Sequence, residues 1–171
     1  MPTAQKTIYL ARHAKSSWDS SAVRDYDRPL SERGLRDAQK MAEKLVELSW
    51  RPEKIIASPA LRAKQTCEAY CLSFGIQEGD VLWDKNIYAA YMVTLLHTLT
   101  SLPEDVQSVM LLGHNPSMED LLVHLCGDAP RQKNGKLMTT GNVARLSISI
   151  PWNELIMHHA ELQTLLRPKE L

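Results

Sequence analysis

Residues 108–113, Ser-Val-Met-Leu-Leu-Gly, are the stretch that decides the fold of this 171-residue chain. A short apolar run of this kind predicts a strand that is buried on both faces. His114 follows directly, and Asn115-Pro116 is typical of the start of a helix. The helical pattern then continues to about Cys126, and Gly127 ends it. The segment therefore predicts a buried strand joined to a helix by a short polar turn.

Similar strand and helix pairs precede it in the chain. Residues 7–11, Thr-Ile-Tyr-Leu-Ala, predict a buried strand, and a polar loop over 14–30 separates it from an amphipathic helix over 31–50. Residues 54–57 predict a second strand. Ser58-Pro59, an N-cap followed by proline, then opens a helix that runs to about Ser73.

The remaining elements complete an alternating α/β pattern. The predicted elements are a short strand at Val81-Leu82, a helix over 89–102, a loop over 127–142, a half-buried strand over 143–150 and a helix near the C-terminus. This order predicts a single domain over 1–171, with a mainly parallel central sheet covered by helices on both faces. In such a three-layer fold, ligands bind at the carboxyl ends of the strands.

Composition narrows the function classes. The chain is 44% hydrophobic and 23% charged, as soluble globular proteins are, and it has no apolar run long enough to cross a membrane. Twenty basic and twenty acidic side chains balance, although 13 of the basic and 8 of the acidic ones lie in the first 66 residues. We therefore expect neither nucleic acid nor a membrane as partner. Residues 1–6 lack the apolar region of a signal peptide, and the three cysteines are expected to be free thiols, so we expect a cytoplasmic protein.

Three strand ends carry side chains that suit an anion. Arg12 and His13 follow the first strand, Arg62 lies one turn into the helix that Ser58 opens, and His114 follows the clearest strand. A guanidinium matches phosphate oxygens, and imidazole is a competent nucleophile toward phosphorus. Each of these residues alone could be structural or merely exposed. Together they predict a phosphate site in which one histidine attacks and the other groups stabilise the transferred charge.

The sequence patterns of a P-loop nucleotide site and of a metal site are absent from this chain. No glycine-rich Walker loop is present, so a P-loop nucleotide site is not expected. No cluster of His, Asp or Glu has metal-ligand spacing, and the adjacent His158 and His159 would point about 100° apart on a helix. We expect no metal and no cofactor. His97 and His124 are expected at the surface, and Cys67 and Cys71 in the core.

Four short motifs together carry a family resemblance. Leu10-Ala-Arg-His-Ala-Lys-Ser-Ser-Trp18, Asp27-Arg-Pro-Leu-Ser-Glu-Arg-Gly34, Ser58-Pro-Ala-Leu-Arg-Ala-Lys-Gln-Thr66 and Leu112-Gly-His-Asn-Pro116 resemble those of the histidine phosphatase superfamily, in the same order. The Arg-His-Ala-Lys-Ser form, the small size and residues 166–171 resemble its SixA-like phosphohistidine phosphatase branch. The resemblance implies a phosphoglycerate-mutase-like fold and a metal-independent phosphatase.

The resemblance also implies residue roles. His13 is the expected nucleophile that becomes phosphohistidine, and Arg12, Arg62 and His114 form the rest of the phosphate pocket. Asp19 sits where many relatives carry a phosphate-contacting asparagine. Ser58 and Asn115 are expected as helix caps that shape the pocket. Two further residues, Lys15 and Arg24, are candidates for its rim.

The sequence offers one candidate for a general acid. Many esterase relatives use a Glu or Asp after the second helix, where this chain offers Asp84. An alkoxide leaving group needs a proton donor, whereas the imidazole of phosphohistidine takes up a proton near neutral pH. The substrate is therefore predicted to be phosphohistidine on a protein. A phosphatase for small phosphate esters, and a module that binds phosphorylated partners without turnover, are the alternatives.

Overall fold

The computed structural model describes residues 4–19, 21–22 and 24–171, and six strands in these ranges form one sheet. The strands are β1 (Lys6–Arg12), β2 (Lys54–Ala57), β3 (Leu82–Trp83), β4 (Ser108–Gly113), β5 (Val143–Ile148) and β6 (Glu161–Leu166). The α-helices are α1 (Glu32–Glu47), α2 (Leu61–Phe74), α3 (Met92–Thr100) and α4 (Ser117–Cys126). The sheet order is β3-β2-β4-β1-β5-β6.

The sheet is mainly parallel, as predicted. β1 to β4 run in one direction, and β5 and β6 are antiparallel additions at one edge. The register of the central pair sets Arg12 opposite Gly113 at the carboxyl ends of β1 and β4. The residues that follow these two strands, His13 and His114, therefore leave the sheet side by side.

Both faces of the sheet are covered, which confirms the three-layer architecture. Successive residues of β1 point to opposite faces because side chains alternate along a strand. Ile8 and Leu10 pack in the core beneath α3 and α4, whereas Tyr9 and Ala11 pack in the core beneath α1 and α2. Burial of these two apolar surfaces is the main favourable term in folding.

The start of α1 anchors the loop that follows β1. The Ser31 hydroxyl accepts a hydrogen bond from the Gly34 N–H at 3.0 Å, and the Ser31 N–H donates to the Lys15 carbonyl at 2.9 Å. Gly34 lies against this carbonyl so closely that a Cβ there would collide with its oxygen. The amphipathic α1 predicted over 31–50 thus also holds the chain just after His13.

The predicted C-terminal helix is wrong. Residues 161–166 form β6, which pairs antiparallel with β5, and a short 3-10 turn over Pro168–Glu170 follows. Strand pairing satisfies the backbone groups along the outer edge of β5. Leu162 and Leu165 meanwhile pack against one core and Leu166 against the other. Pairing with the open edge of β5 therefore stabilises a strand at this position, where the sequence alone predicted a helix.

The strand predicted over 143–150 is also more buried than expected. Five of the six residues of β5 are buried. Val143 packs into one core and Ala144, Leu146 and Ile148 into the other, and β6 pairs along the edge of the strand. The hydroxyl of Ser147 accepts a hydrogen bond from Gln163 on β6 at 2.9 Å, and Arg145 lies 5.4 Å from the ring of Trp50. Ser147 and Arg145 therefore do not form the solvent-exposed face that the alternating pattern predicted.

Parts of two predictions fall outside the described ranges. Residues 1–3 of the N-terminal segment and residues 20 and 23 of the polar loop are not described. No helix in the described part is long and apolar enough to cross a membrane.

Candidate active site

The fold brings the four predicted site residues together at the carboxyl edge of the sheet. Arg12 is the last residue of β1 and His13 follows it. His114 follows β4, and Arg62 lies in the first turn of α2. The ring centres of His13 and His114 are 5.0 Å apart, and only 7% of each of the two histidines and of Arg62 is exposed. Their chemical roles remain predictions, but their juxtaposition is a feature of the structure.

The hydrogen bonding of His13 fixes its tautomer. Its Nδ1 lies 2.7 Å from the Ala14 carbonyl oxygen, which can only accept, so Nδ1 carries the proton. The lone pair therefore resides on Nε2. The Ala14 N–H donates in turn to the Thr66 hydroxyl at 3.0 Å, and that hydroxyl donates to the Arg62 carbonyl at 2.8 Å. The imidazole is thus held by a chain of contacts that runs to α2.

Both histidines are kept neutral at pH 7. Burial lowers the pKa of His13 to about 3, and His114, Arg62 and Arg12 add to this against the opposing effect of the Ala14 hydrogen bond. Burial likewise lowers the pKa of His114 to about 4, with Arg62 and Arg12 adding and Asp25 opposing. A neutral His13 keeps its Nε2 lone pair available as a nucleophile.

Ser58 has a different role from the predicted helix cap. The helix begins at Leu61, and the fully buried Ser58 hydroxyl lies 2.7 Å from Nε2 of His114. The same hydroxyl accepts a hydrogen bond from the Ala60 N–H at 3.2 Å. The cap prediction was wrong because two residues separate Ser58 from the first helical turn. Ser58 instead orients the second histidine.

Asn115 is not a helix cap either. Its side-chain nitrogen donates to the Met138 carbonyl at 2.9 Å, and α4 begins after Pro116 with no side-chain cap. Nη1 of Arg12 donates to the same carbonyl at 3.0 Å, and the Met138 N–H donates to Glu119 at 2.9 Å. The loop predicted over 127–142 therefore forms one wall of the site, and Asn115 is bound to it.

Arg12 has a hydrogen-bond donor that its contact with the Met138 loop does not use. Its Nε is buried, and no group in the described part of the chain accepts its hydrogen. Burial lowers the pKa of Arg12 and Glu119 opposes this, but a guanidinium remains charged at neutral pH. A charged side chain with an unused donor suits an anion that enters from outside the protein.

Asp25 is a site residue that sequence reasoning missed. Arg62 donates to it twice, from Nη1 to the carbonyl at 2.7 Å and from Nη2 to Oδ2 at 3.0 Å. The Tyr88 hydroxyl donates to Oδ2 at 2.8 Å, and Arg28 donates to Oδ1 at 2.9 Å. Burial alone would raise the pKa of Asp25, but the bonds from Arg28, Tyr88 and Arg62 lower it to about 2. The acidic and basic residues over 25–28 were the only local sign of this cluster.

The general-acid candidate, Asp84, has a local contact. Its Oδ1 accepts a hydrogen bond from the Asn86 N–H at 2.8 Å, which caps a 3-10 turn over Lys85–Ile87. It also lines a groove with His97 and Leu102 of the α3 region. This contact is a capping role, and proton donation by Asp84 stays a prediction.

The other predicted residues divide between the cavity beside Arg12 and the surface. Lys15 is half-buried and lines that cavity, Arg24 forms an ion pair of 2.7 Å with Asp27, and Asp19 is exposed.

Among the remaining histidines, His97, His158 and His159 are exposed and His124 is half-buried. The described cysteines are free, and Cys67 and Cys71 are buried with their sulfurs 3.8 Å apart, as expected.

The fold and this site define a class of protein. A neutral histidine with a free Nε2, set among two guanidiniums and a second histidine, has the chemistry of covalent phosphoryl transfer. The sequence pattern of the histidine phosphatase superfamily, branch 1, matches residues 8–81. A solved structure of SixA from Agrobacterium tumefaciens is 32% identical, covers 98% of this chain and 99% of its own, and superposes with a TM-score of 0.79. The chain belongs to the histidine phosphatase superfamily.

Other relatives narrow the assignment to one group within the superfamily. Phosphohistidine phosphatase SixA of Escherichia coli is 28% identical over 149 residues, which cover 82% of this chain and 84% of that one. A chloroplastic protein of Arabidopsis thaliana is 32% identical over 136 residues, or 75% of this chain. This chain spans 62% of the length of the Arabidopsis protein. The protein is a member of the SixA-like group.

Proposed function

We propose that this protein removes the phosphoryl group from phosphohistidine on a protein, through a covalent intermediate on His13. The observation that carries the proposal is the state of His13, whose Nδ1–H donates to the Ala14 carbonyl. Its Nε2 is unprotonated at pH 7 and has no hydrogen-bond partner among the described residues. A histidine arranged in this way among cationic groups is an activated nucleophile.

The pocket supplies the charge that a phosphoryl group needs. Arg12, Arg62 and His114 are the proposed ligands of its oxygens, and a bound dianion would favour the charged form of His114. Arg62 is held by Asp25, whose carboxylate also accepts from Tyr88 and Arg28. The guanidinium of Arg62 is therefore oriented before the substrate enters.

The reaction consists of two displacements at phosphorus. Nε2 of His13 attacks the phosphorus in line, the P–N bond of the substrate breaks, and the leaving imidazole takes up a proton. Water then attacks the phosphorus of the His13 intermediate, the new P–N bond breaks, and phosphate is released. Neither step requires a metal in this proposal.

The nature of the leaving group favours phosphohistidine over an ester. Imidazole titrates near neutrality and leaves with a proton from solvent, whereas an alkoxide needs a positioned acid. Asp84, the sequence candidate for that acid, is engaged as a cap of the turn at Lys85–Ile87. A substrate with an activated P–N bond therefore suits this site better than a sugar phosphate does.

The test is phosphate release in EDTA from a peptide that carries phosphohistidine, beside a panel of sugar phosphates and a phosphotyrosine peptide. Wild-type protein should release phosphate selectively from phosphohistidine and form an acid-labile phosphoenzyme. His13→Ala should lose both turnover and phosphoenzyme, and the matched control His97→Ala should keep both. Asp84→Asn should retain activity on phosphohistidine.

Three results would contradict the proposal. Full activity of His13→Ala would exclude the covalent route. Faster release from the esters, lost in Asp84→Asn, would make the protein an esterase with Asp84 as its acid. Tight phosphate-dependent binding of the peptide without any release would make it a binding module.

A further inference from the structure

A basic cavity of about 620 Å³ lies next to the proposed phosphate site. It shares Arg12 with that site, whereas His13, Arg62 and His114 do not line it. Its walls come from the loop after β1, the starts of α1 and α4, residues 134–140 and the C-terminal turn. It is therefore a neighbour of the phosphate site with room for a second group of the substrate.

The cavity concentrates positive charge in a chain that is neutral overall. Its basic lining residues are Arg12, Lys15, Arg33, Lys136 and Lys169, and its acidic ones are Asp37 and Glu119. Both acids already have cationic partners, since Asp37 pairs with Arg33 at 3.4 Å and Glu119 with Arg131 at 3.2 Å.

The lysines of the cavity have no such partner. Within the described ranges, no carboxylate lies in ion-pair distance of the ammonium groups of Lys15, Lys136 or Lys169. These three lysines and Arg12 give the cavity a positive surface, and the charges of the lysines are not balanced by an ion pair within the described ranges. Such a surface raises the local concentration of anions.

The segments that carry these lysines are fixed by the fold. The Arg12 N–H donates to the Asn142 carbonyl at 3.0 Å, and the Gly141 N–H donates to the His13 carbonyl at 2.9 Å. The ammonium of Lys40 on α1 donates to the Pro168 carbonyl at 3.3 Å, which ties down the C-terminal turn. Three parts of the chain that are distant in sequence are thus held around one cavity.

We propose that this cavity binds a carboxylate that the substrate carries beside its phosphoryl group. On a protein, the carboxylate would come from Asp or Glu residues next to the phosphorylated histidine, and on a small molecule it would lie on the same carbon skeleton. The inference rests on the proposed function for the position of the phosphoryl group.

The test compares two phosphohistidine peptides, one with glutamates and one with serines on both sides of the histidine. The wild-type protein should have a higher kcat/KM for the acidic peptide. Lys136→Gln/Lys169→Gln should reduce the ratio of the two kcat/KM values about fourfold, since each exposed charge pair contributes about twofold. The matched control Lys54→Gln/Lys85→Gln removes two lysines outside the cavity and should keep the wild-type ratio.

Two further measurements separate the sources of the carboxylate and the two proposals. Phosphoglycolate and ethyl phosphate, compared by their inhibition constants against the phosphohistidine peptide, test a small-molecule carboxylate without requiring that the esters be hydrolysed. Hexaglutamate binding, measured by calorimetry at low ionic strength, needs no phosphatase activity and should weaken about fourfold in Lys136→Gln/Lys169→Gln.

The outcomes are distinct. If Lys136→Gln/Lys169→Gln reduces the preference for the acidic peptide but not the preference for phosphoglycolate, the cavity binds acidic protein segments. If it reduces the preference for phosphoglycolate but not the preference for the acidic peptide, the cavity binds small molecules. If the wild-type protein releases no phosphate from either phosphohistidine peptide, the proposed function fails. Hexaglutamate binding then tests by itself whether the cavity binds carboxylates. Equal ratios and equal hexaglutamate affinities in the wild type and in Lys136→Gln/Lys169→Gln would overturn the cavity proposal.

Discussion

Acidification from pH 7.5 to pH 5.5, in the absence of phosphate, should lower the free energy of unfolding by about 3 kcal/mol through His13 and His114 alone. Burial lowers their pKa values to about 3 and about 4, whereas the pKa of an unfolded histidine is about 6.5. As the pH falls below about 6.5, the unfolded chain therefore binds protons that the folded protein does not. Each histidine then lowers the stability by about 1.4 kcal/mol per pH unit, until the pH approaches its folded pKa.

The assay is urea unfolding followed by tryptophan fluorescence at pH 7.5 and pH 5.5. The variant His13→Asn/His114→Asn lacks both titrating groups, so it should lose about 3 kcal/mol less than wild type between the two pH values. The two proteins are compared by the change in their free energy of unfolding between the two pH values, so a lower absolute stability of the variant does not affect the result. The control His97→Asn/His159→Asn, which removes two exposed histidines, should retain the wild-type change.

An equal loss of stability in the wild type and in His13→Asn/His114→Asn would refute this reasoning. It would mean that the two imidazoles take up protons in the folded protein as readily as in the unfolded chain. Burial would then not keep His13 neutral, and the argument for its free lone pair would lose its electrostatic basis.

Three other substitutions test the site and its support. Ser58→Ala removes the hydroxyl that orients the second histidine and should lower kcat about tenfold, because a buried hydrogen bond of this kind contributes roughly 1–2 kcal/mol. Asp25→Asn removes a negative charge from Arg62 and should tighten competitive inhibition by inorganic phosphate about threefold. Gly34→Ala should lower the free energy of unfolding by about 1–3 kcal/mol through collision with a backbone carbonyl, whereas Gly79→Ala, with open space around it, should change it little.

Each of these expectations has a contrary result. An unchanged kcat in Ser58→Ala would show that packing alone orients the imidazole. Weaker phosphate inhibition in Asp25→Asn would show that the carboxylate acts mainly by holding Arg62 in place. Equal melting temperatures of the two glycine variants would show that the loop after β1 moves away from α1 without cost.

Local sequence determined the central strands and the helices that cover them. β1 and β4 are short continuous apolar runs, which predict buried strands, and α1 carries a clear 3.6-residue apolar period, which predicts an amphipathic helix. Arg12, His13 and His114 could be placed at the sheet edge from the same patterns, because the carboxyl ends of parallel strands share an edge. Arg62 was placed in the same group because it lies one turn into the helix that follows the predicted strand over 54–57, and the family motifs agree with this placement.

Only the tertiary structure decided the features that depend on partners distant in the chain. The segment that became β6 has too little periodicity to choose between helix and strand, and the open edge of β5 made the choice. Ser58 and Asn115 looked like caps because their patterns are local, but their bonds run to His114 and Met138. Asp25 meets Arg62 across 37 residues, and no local pattern encodes a contact at that separation. Sequence thus determines what short-range periodicity and known motifs can specify, whereas hydrogen bonds between distant segments exist only once packing has brought those segments together.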